Sequence, residues 1–154
     1  MDLKKTVRSE KVRRLDLSFY VEVQKGSLAG EVIEKMQASK RKCALVMDGA
    51  KLVGIYTAHD VRDHAQETDA LKNTIDSVMT SDPETIDGDI SLADAIAFLN
   101  QKSYRYLPVL NKEGHVIGTL THYAILKFIS DHFPEDIYNL APEPDRIATV
   151  RDGA

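Results

Sequence analysis

Leu45-Val46-Met47-Asp48-Gly49-Ala50-Lys51-Leu52-Val53-Gly54-Ile55-Tyr56-Thr57-Ala58-His59-Asp60-Val61 is the stretch whose reading sets the fold. Two apolar runs, Leu45 to Met47 and Leu52 to Tyr56, flank an Asp48-Gly49 turn, and helical periodicity begins after Thr57. The pattern predicts a hairpin followed by a helix. Thr57 falls at the helix N-cap with Asp60 three residues on, so a hydroxyl, a carboxylate and free backbone donors gather at one helix start. That chemistry suits a phosphorylated ligand.

The same grammar returns from Val109 to Ile125, where Gly118 answers Gly54 and Thr121 answers Thr57 at one spacing (118 − 54 = 64). Carried backward without a gap, this spacing also matches Arg41 to Arg105, Ser39 to Ser103, Gln37 to Gln101, and Ser27-Leu28-Ala29 to Ser91-Leu92-Ala93. The chain is read as a tandem repeat.

Working outward, Val21 to Val23 reads as a short strand and Ser27 as the cap of a helix with Leu28, Val32 and Met36 on one stripe. Past the hairpin, Gln66 to Asn73 is a polar connector and Thr74 to Met79 a short helix ending before Asp82-Pro83. The second copy opens with Thr85-Ile86 as a strand. Ser91 then caps a helix with Leu92, Ala95, Ile96 and Leu99 facing the core, and Asp94 completes a capping box. Pro108 places its run at a strand start or a sheet edge. Val116 to Leu120 and a helix from His122 to about His132 close the unit, and Pro134 stops it. Each copy is thus β-α-β-β-α. One copy alone would leave an apolar sheet face exposed, so the fold expected is α/β (α+β type), two pseudo-symmetric copies packed around a pseudo-dyad with two related crevices between them. The expected division is 1–72, the first repeat with an N-terminal lead-in helix, 73–132, the second repeat, and 133–154, a C-terminal tail.

Composition bounds the function classes. With 154 residues and 43% hydrophobic content the chain is long enough to bury a core, and a net charge of −4 provides no overall basic field for nucleic acid. Lys4, Lys5, Arg8, Lys11, Arg13 and Arg14 make a basic opening without interleaved aromatics, read as a solvated face. The single cysteine, Cys43, admits no internal disulfide and no cysteine metal cluster, and reads as a small buried apolar side chain. His59, His64, His115, His122 and His132 show no metal-ligand spacing. No signal-peptide core and no membrane-length apolar run are present, which makes the cytoplasm the expected location. No nucleophile elbow, P-loop or dinucleotide fingerprint nominates an enzyme. The tail carries Pro134, Pro142 and Pro144, with Ile137, Tyr138 and Leu140 as apolar anchors, and is too poor in such residues to form a domain.

Each copy resembles a CBS domain, the module named after cystathionine β-synthase, and the pair resembles a Bateman module. The signals are Leu-Val-Gly-Ile-x-Thr-x-x-Asp ending at Asp60, Val-Ile-Gly-Thr-Leu-Thr ending at Thr121, Leu-Pro-Val-Leu from Leu107, and Val-Met-Thr before Pro83. The stretch Leu120 to Phe128 is in addition similar to part of the γ subunit of AMP-activated protein kinase. The resemblance implies an adenine nucleotide (AMP, ADP or ATP) in the cleft between repeats, with Thr57 on phosphate, Asp60 on the ribose hydroxyls, and Val23 and Ala44 as candidates for an apolar slot around the base. It also implies that Arg41 and Arg105 converge on one phosphate, and that the module forms a homodimer.

Read from the residues themselves, an ionised carboxylate accepts from both ribose hydroxyls, each such bond contributing about 1.5 to 3 kcal/mol. His59 can touch phosphate from the helix start. Tyr104 and Tyr106 bracket Arg105 and either stack on a base or join the core. Thr57-x-x-Asp60 also reads as a plain capping box, which needs no ligand. In the second copy Ala124 stands where Asp60 stands in the first, so Thr121 lacks its acidic companion and that crevice is expected to be impaired. The expected role is a regulatory module that senses the nucleotide and modulates an unidentified partner in trans by population shift. The alternative is a ligand-free scaffold that dimerises and grips another protein.

Overall fold

The computed structural model describes residues 2–64 and 69–134. The first repeat builds β1 (Val21–Gln24) parallel to β2 (Cys43–Asp48), which is antiparallel to β3 (Lys51–Thr57). The helix α2 (Ala29–Ser39) connects β1 to β2, and α3 (Ala58–His64) follows β3 directly. The second repeat repeats the plan with β5 (Ile86–Asp87), α5 (Leu92–Lys102), β6 (Tyr106–Leu110), β7 (Val116–Thr121) and α6 (His122–His132). The mixed α/β architecture expected from the periodicity is present in both halves.

The central strands explain why the two sheets need each other. Five of the six β2 residues are buried. Ala44 and Val46 pack with Val32 and Met36 of α2, while Cys43 and Leu45 point the other way, into a cluster with Ile55, Tyr106 and Val116. One face is covered by its own helix and the other by the second repeat, so the strand reads as a continuous apolar run. At roughly 1.5 to 3 kcal/mol for each large apolar side chain buried, neither sheet face is affordable in water.

The ladder registers correct the repeat spacing. Cys43 pairs with Thr57 and Tyr106 with Thr121, so β2 and β6 are 63 residues apart (106 − 43 = 63) while β3 and β7 are 64 apart. The left-handed helix ends agree: Lys40 (φ 56°) and Ser103 (φ 58°) are also 63 apart. The extra residue sits in the second hairpin loop, where Asn111 Oδ1 accepts from Glu113 N (3.1 Å) and His115 N (2.9 Å) around Gly114. Tyr104 is therefore the counterpart of Arg41, and Lys42 that of Arg105. The ungapped alignment slipped by one because Ser-Leu-Ala occurs near both helix starts.

Of three further local expectations, two are corrected. Ser27 does not cap α2: the N-cap is Leu28, and the Ser27 hydroxyl donates to Gln24 O at 2.7 Å. Ser91 does cap α5, accepting from Asp94 N at 3.1 Å. Pro108 lies in the middle of a central strand, opposite Thr119 of β7, and is tolerated because β5 on the other side pairs only from Val109 onward.

Two segments cross between the halves. The short helix α4 (Ile75–Val78) buries Ile75 in the first repeat, and β4 (Thr80–Ser81), a strand the sequence reading missed, pairs with Gly54 and Ile55 of β3. Conversely the lead-in, with α1 (Leu3–Ser9) and a 3₁₀ turn at Val12–Arg14, joins the second repeat rather than the first. Val12 is fully buried there, its N–H donates to Ile90 O (3.1 Å), and Thr119 N donates to Leu17 O (3.0 Å). The tail expected from 133 onward lies outside the described residues after position 134.

Candidate functional site

β3 delivers Thr57 to the start of α3 with no intervening loop, and this junction fixes the geometry. Asp60 Oδ2 accepts from Thr57 N at 2.8 Å and from the Thr57 hydroxyl at 3.2 Å. The reach of the N3 carboxylate back to the N-cap amide is half of a capping box; the threonine hydroxyl points its proton at the acid instead of accepting from the helix. Asp60 Oδ1 accepts no hydrogen bond from the described residues, and the side chain is only partly buried. One oxygen thus orders the junction and the other stays open.

The groups around this acid come from both repeats. Cys43, the cross-strand partner of Thr57, has its thiol pushed up to about 12 by burial, with the Asp60 charge adding to the rise and Thr119 of β7 opposing it. Burial also raises the Tyr106 phenol, helped by Cys43 and opposed by the nearby cations Arg105 and Arg62. Asp60 and Arg62 of the first repeat therefore share one neighbourhood with Arg105 and Tyr106 of the second. Sequence reasoning did not single out Arg62; its position two residues beyond Asp60, in the last turn of the same short helix, was the available signal.

The remaining candidates are placed as follows. His59 is exposed and pairs with Asp63 one turn on, at 3.4 Å. Val23 and Ala44 lie inside the first repeat's core, 8% and 0% exposed. Arg41 and Arg105 are not brought together by any described contact: the Arg41 guanidinium lies 5.0 Å over the Phe19 ring, and the Arg105 charge is felt at the Tyr106 phenol. Tyr104 packs on Phe98, with ring centroids 6.4 Å apart.

At the second junction Thr121 caps α6 in the ordinary sense, its hydroxyl accepting from Ala124 N at 3.0 Å. Thr121 and Ala124 are both buried, 5% and 1% exposed. Both residues of this junction are thus withdrawn from the surface. Two surface cavities, of about 500 and 250 Å³, lie elsewhere, along Arg13 and Ile117, and neither is lined by Thr57, Asp60, Thr121 or Ala124. Among the described residues no cluster of three or more His, Cys, Asp or Glu could hold a metal ion, and no helix is long and apolar enough to cross a membrane.

Comparison with known proteins supplies the family. A protein of Methanocaldococcus jannaschii, MJ1232, is 33% identical over 95 residues, which is 62% of this chain and 31% of that protein. The chain spans less than a third of the length of MJ1232 and of two CBS domain-containing proteins of Arabidopsis thaliana that it matches. Among solved structures, the CBS domain pair of MJ0100, in complex with 5′-methylthioadenosine and S-adenosyl-L-methionine, superposes with a TM-score of 0.70 at 19% identity, covering 79% of this chain and 97% of that one. CBSX2 in complex with AMP gives 0.65 at 21% identity, covering 79% and 96%. The CBS domain family matches residues 19–67 and 75–131, and on those two matches, each carrying the β-α-β-β-α plan, the chain belongs to that family as a tandem pair.

Proposed function

We propose that this chain is a regulatory module that takes an adenine nucleotide, AMP, ADP or ATP, in the crevice at Thr57 and Asp60 and passes the bound state to a partner protein in trans, as a homodimer. The observation that carries this reading is the divided carboxylate: Oδ2 is held by Thr57 N and Oγ1, while Oδ1 is left for a ribose hydroxyl. A carboxylate oxygen there would bind a hydroxyl with a charge-assisted bond. The Thr57 hydroxyl, now donating to Asp60, can turn its proton toward a phosphate. Arg62 and Arg105 supply positive charge from two repeats, so a phosphate there would bridge them and favour their closed packing. Proteins of the same fold crystallised with AMP and with adenosyl compounds support the adenosine class.

Titration calorimetry with AMP, ADP, ATP and S-adenosyl-L-methionine tests this. One ligand is expected to bind, and Asp60→Asn to weaken it about tenfold or more, about 1.4 kcal/mol per decade. The scaffold reading is favoured by Val23 and Ala44 being core residues and by the local bonding of Asp60. Silence with all four ligands, together with an intact dimer in sedimentation, would put it in place of the nucleotide reading.

A further inference from the structure

At the surface beside the second junction lies a cluster that the ligand reading does not use, with Tyr123 in it 61% exposed. Phe19, two residues before β1, receives the Arg41 guanidinium of the first repeat over its ring at 5.0 Å. The ring of Tyr123, on α6, meets it edge-on at 4.9 Å and 86°. Lys127, one turn further along α6, stands 5.8 Å from the same ring and 2.9 Å from Asp16 Oδ2. Asp16 in turn accepts from Ser18 N at 3.1 Å and from the Ser18 hydroxyl. The lead-in, the first repeat and the second repeat all contribute, and each polar member has a partner within the cluster.

The first crevice has no such arrangement. At the position of Tyr123 it has His59, and at that of Lys127 it has Asp63, which pair with each other. At the position of Arg41 it has Tyr104, turned onto Phe98 within its own repeat. Cations over an aromatic face attract its negative quadrupole, and an edge-on second ring adds to the grip.

We propose that Phe19 is the resident occupant of the second crevice: clamped by Arg41 from one repeat and by Tyr123 and Lys127 from the other, its ring closes that crevice without any ligand. The first crevice is then the one that responds to a small molecule, a consequence that rests on the function proposed above, whereas the closure itself does not. Ala124, next to Tyr123 in α6, is 1% exposed, while its counterpart Asp60 is partly open.

Thiol labelling tests the closure with no nucleotide in the assay. Asp60→Cys and Ala124→Cys place a thiol at matched positions, and the native Cys43 is fully buried and silent in the folded chain. With 5,5′-dithiobis(2-nitrobenzoate), D60C is expected to react at least ten times faster than A124C. Adding Phe19→Ala to A124C is expected to raise its rate at least tenfold, Arg41→Gln to raise it by less, and neither to alter the rate of D60C. Circular dichroism verifies the fold of each variant. Should Phe19→Ala fail to fold, Arg41→Gln, a change at a partly exposed position outside the core, decides alone. Equal rates for D60C and A124C, or a slow A124C rate that no folded variant raises, would overturn the proposal. A labelling failure leaves the calorimetric result standing, and calorimetric silence leaves the labelling result standing.

Discussion

The two strand-to-helix junctions use the same residue with opposite polarity. At α3 the Thr57 hydroxyl gives its proton to Asp60; at α6 the Thr121 hydroxyl accepts one from Ala124 N. A single side chain at the third helical position decides which. A carboxylate draws the hydroxyl proton toward itself and leaves the junction charged and part-open. A methyl group leaves the threonine to cap the helix, and the junction closes over it. Duplication has kept the scaffold while the chemistry at its two equivalent points has diverged.

The largest expected effect concerns the matched glycines. A Cβ on Gly118 would meet the Leu17 side chain and, at 2.6 Å, the Leu17 carbonyl oxygen, which the lead-in holds in place by accepting from Thr119 N. The atoms nearest a Cβ on Gly54 belong to the side chain of Met79, whose flexible end can move aside. Gly118→Ala is expected to destabilise by about 3 kcal/mol, near the upper end for overpacking, and Gly54→Ala by about 1 kcal/mol. Urea unfolding monitored by circular dichroism measures both, and equal losses would remove the asymmetry between the two sheet edges.

Next in size, Asp60→Asn probes the charged junction by nucleotide affinity, with the loss of about tenfold given above. It is expected to cost only about 1 kcal/mol of stability, as a lost cap does. A larger loss of stability with unchanged affinity would make the acid a structural residue like its neighbour Thr57 N requires, and nothing more.

Thr121→Ala and Thr57→Ala sharpen the polarity difference. The first removes the acceptor for a buried amide and is expected to cost about 1 to 2 kcal/mol. The second leaves the Thr57 N to Asp60 bond in place and is expected to cost about half as much. Thermal unfolding of the two variants side by side is the measurement.

The smallest effect is electrostatic. Hydrogen bonds from Ser18 and then Lys127 hold the Asp16 carboxyl down, from 3.8 to about 2. Because the folded-state value is the lower one, the stability this carboxylate contributes is present above pH 3.8 and drains away as the pH falls toward 2. Asp16 keeps about a third of its side-chain surface in water (32%) and its partner Lys127 is more exposed still, so solvent screening keeps the contribution small. Asp16→Asn is expected to lower the melting temperature slightly at pH 7, the difference from the native chain closing as the pH falls toward 2; an Asp60→Asn variant that showed this pH dependence instead would move the acid-sensitive contact to the other crevice.

Much of this was legible in the chain, and what was not has a common cause. The hairpin at Asp48-Gly49, the repeat, the helix after Thr57 and the capping by Ser91 are local patterns, and the structure follows them. The extra residue in the second hairpin was hidden by a chance Ser-Leu-Ala match, and only the ladder registers expose it. Thr80-Ser81 gave no strand signal because two exposed polar residues owe their pairing to a free edge of β3. At the site, Thr57 and Asp60 are close in sequence and were found together. Arg62, Phe19 and Lys127 gain their neighbours only through the packing of one repeat on the other.

The crossing of the two segments has a bearing on how the chain is made. During synthesis the first sheet lacks β4 until residue 81 has left the ribosome, and Val12, Leu15 and Leu17 have nothing to cover until the strands that end at Thr121 follow. At about 5 to 20 residues per second that leaves the apolar lead-in waiting for several seconds. A nascent chain stalled between the repeats would therefore display those three side chains to any chaperone at the exit tunnel.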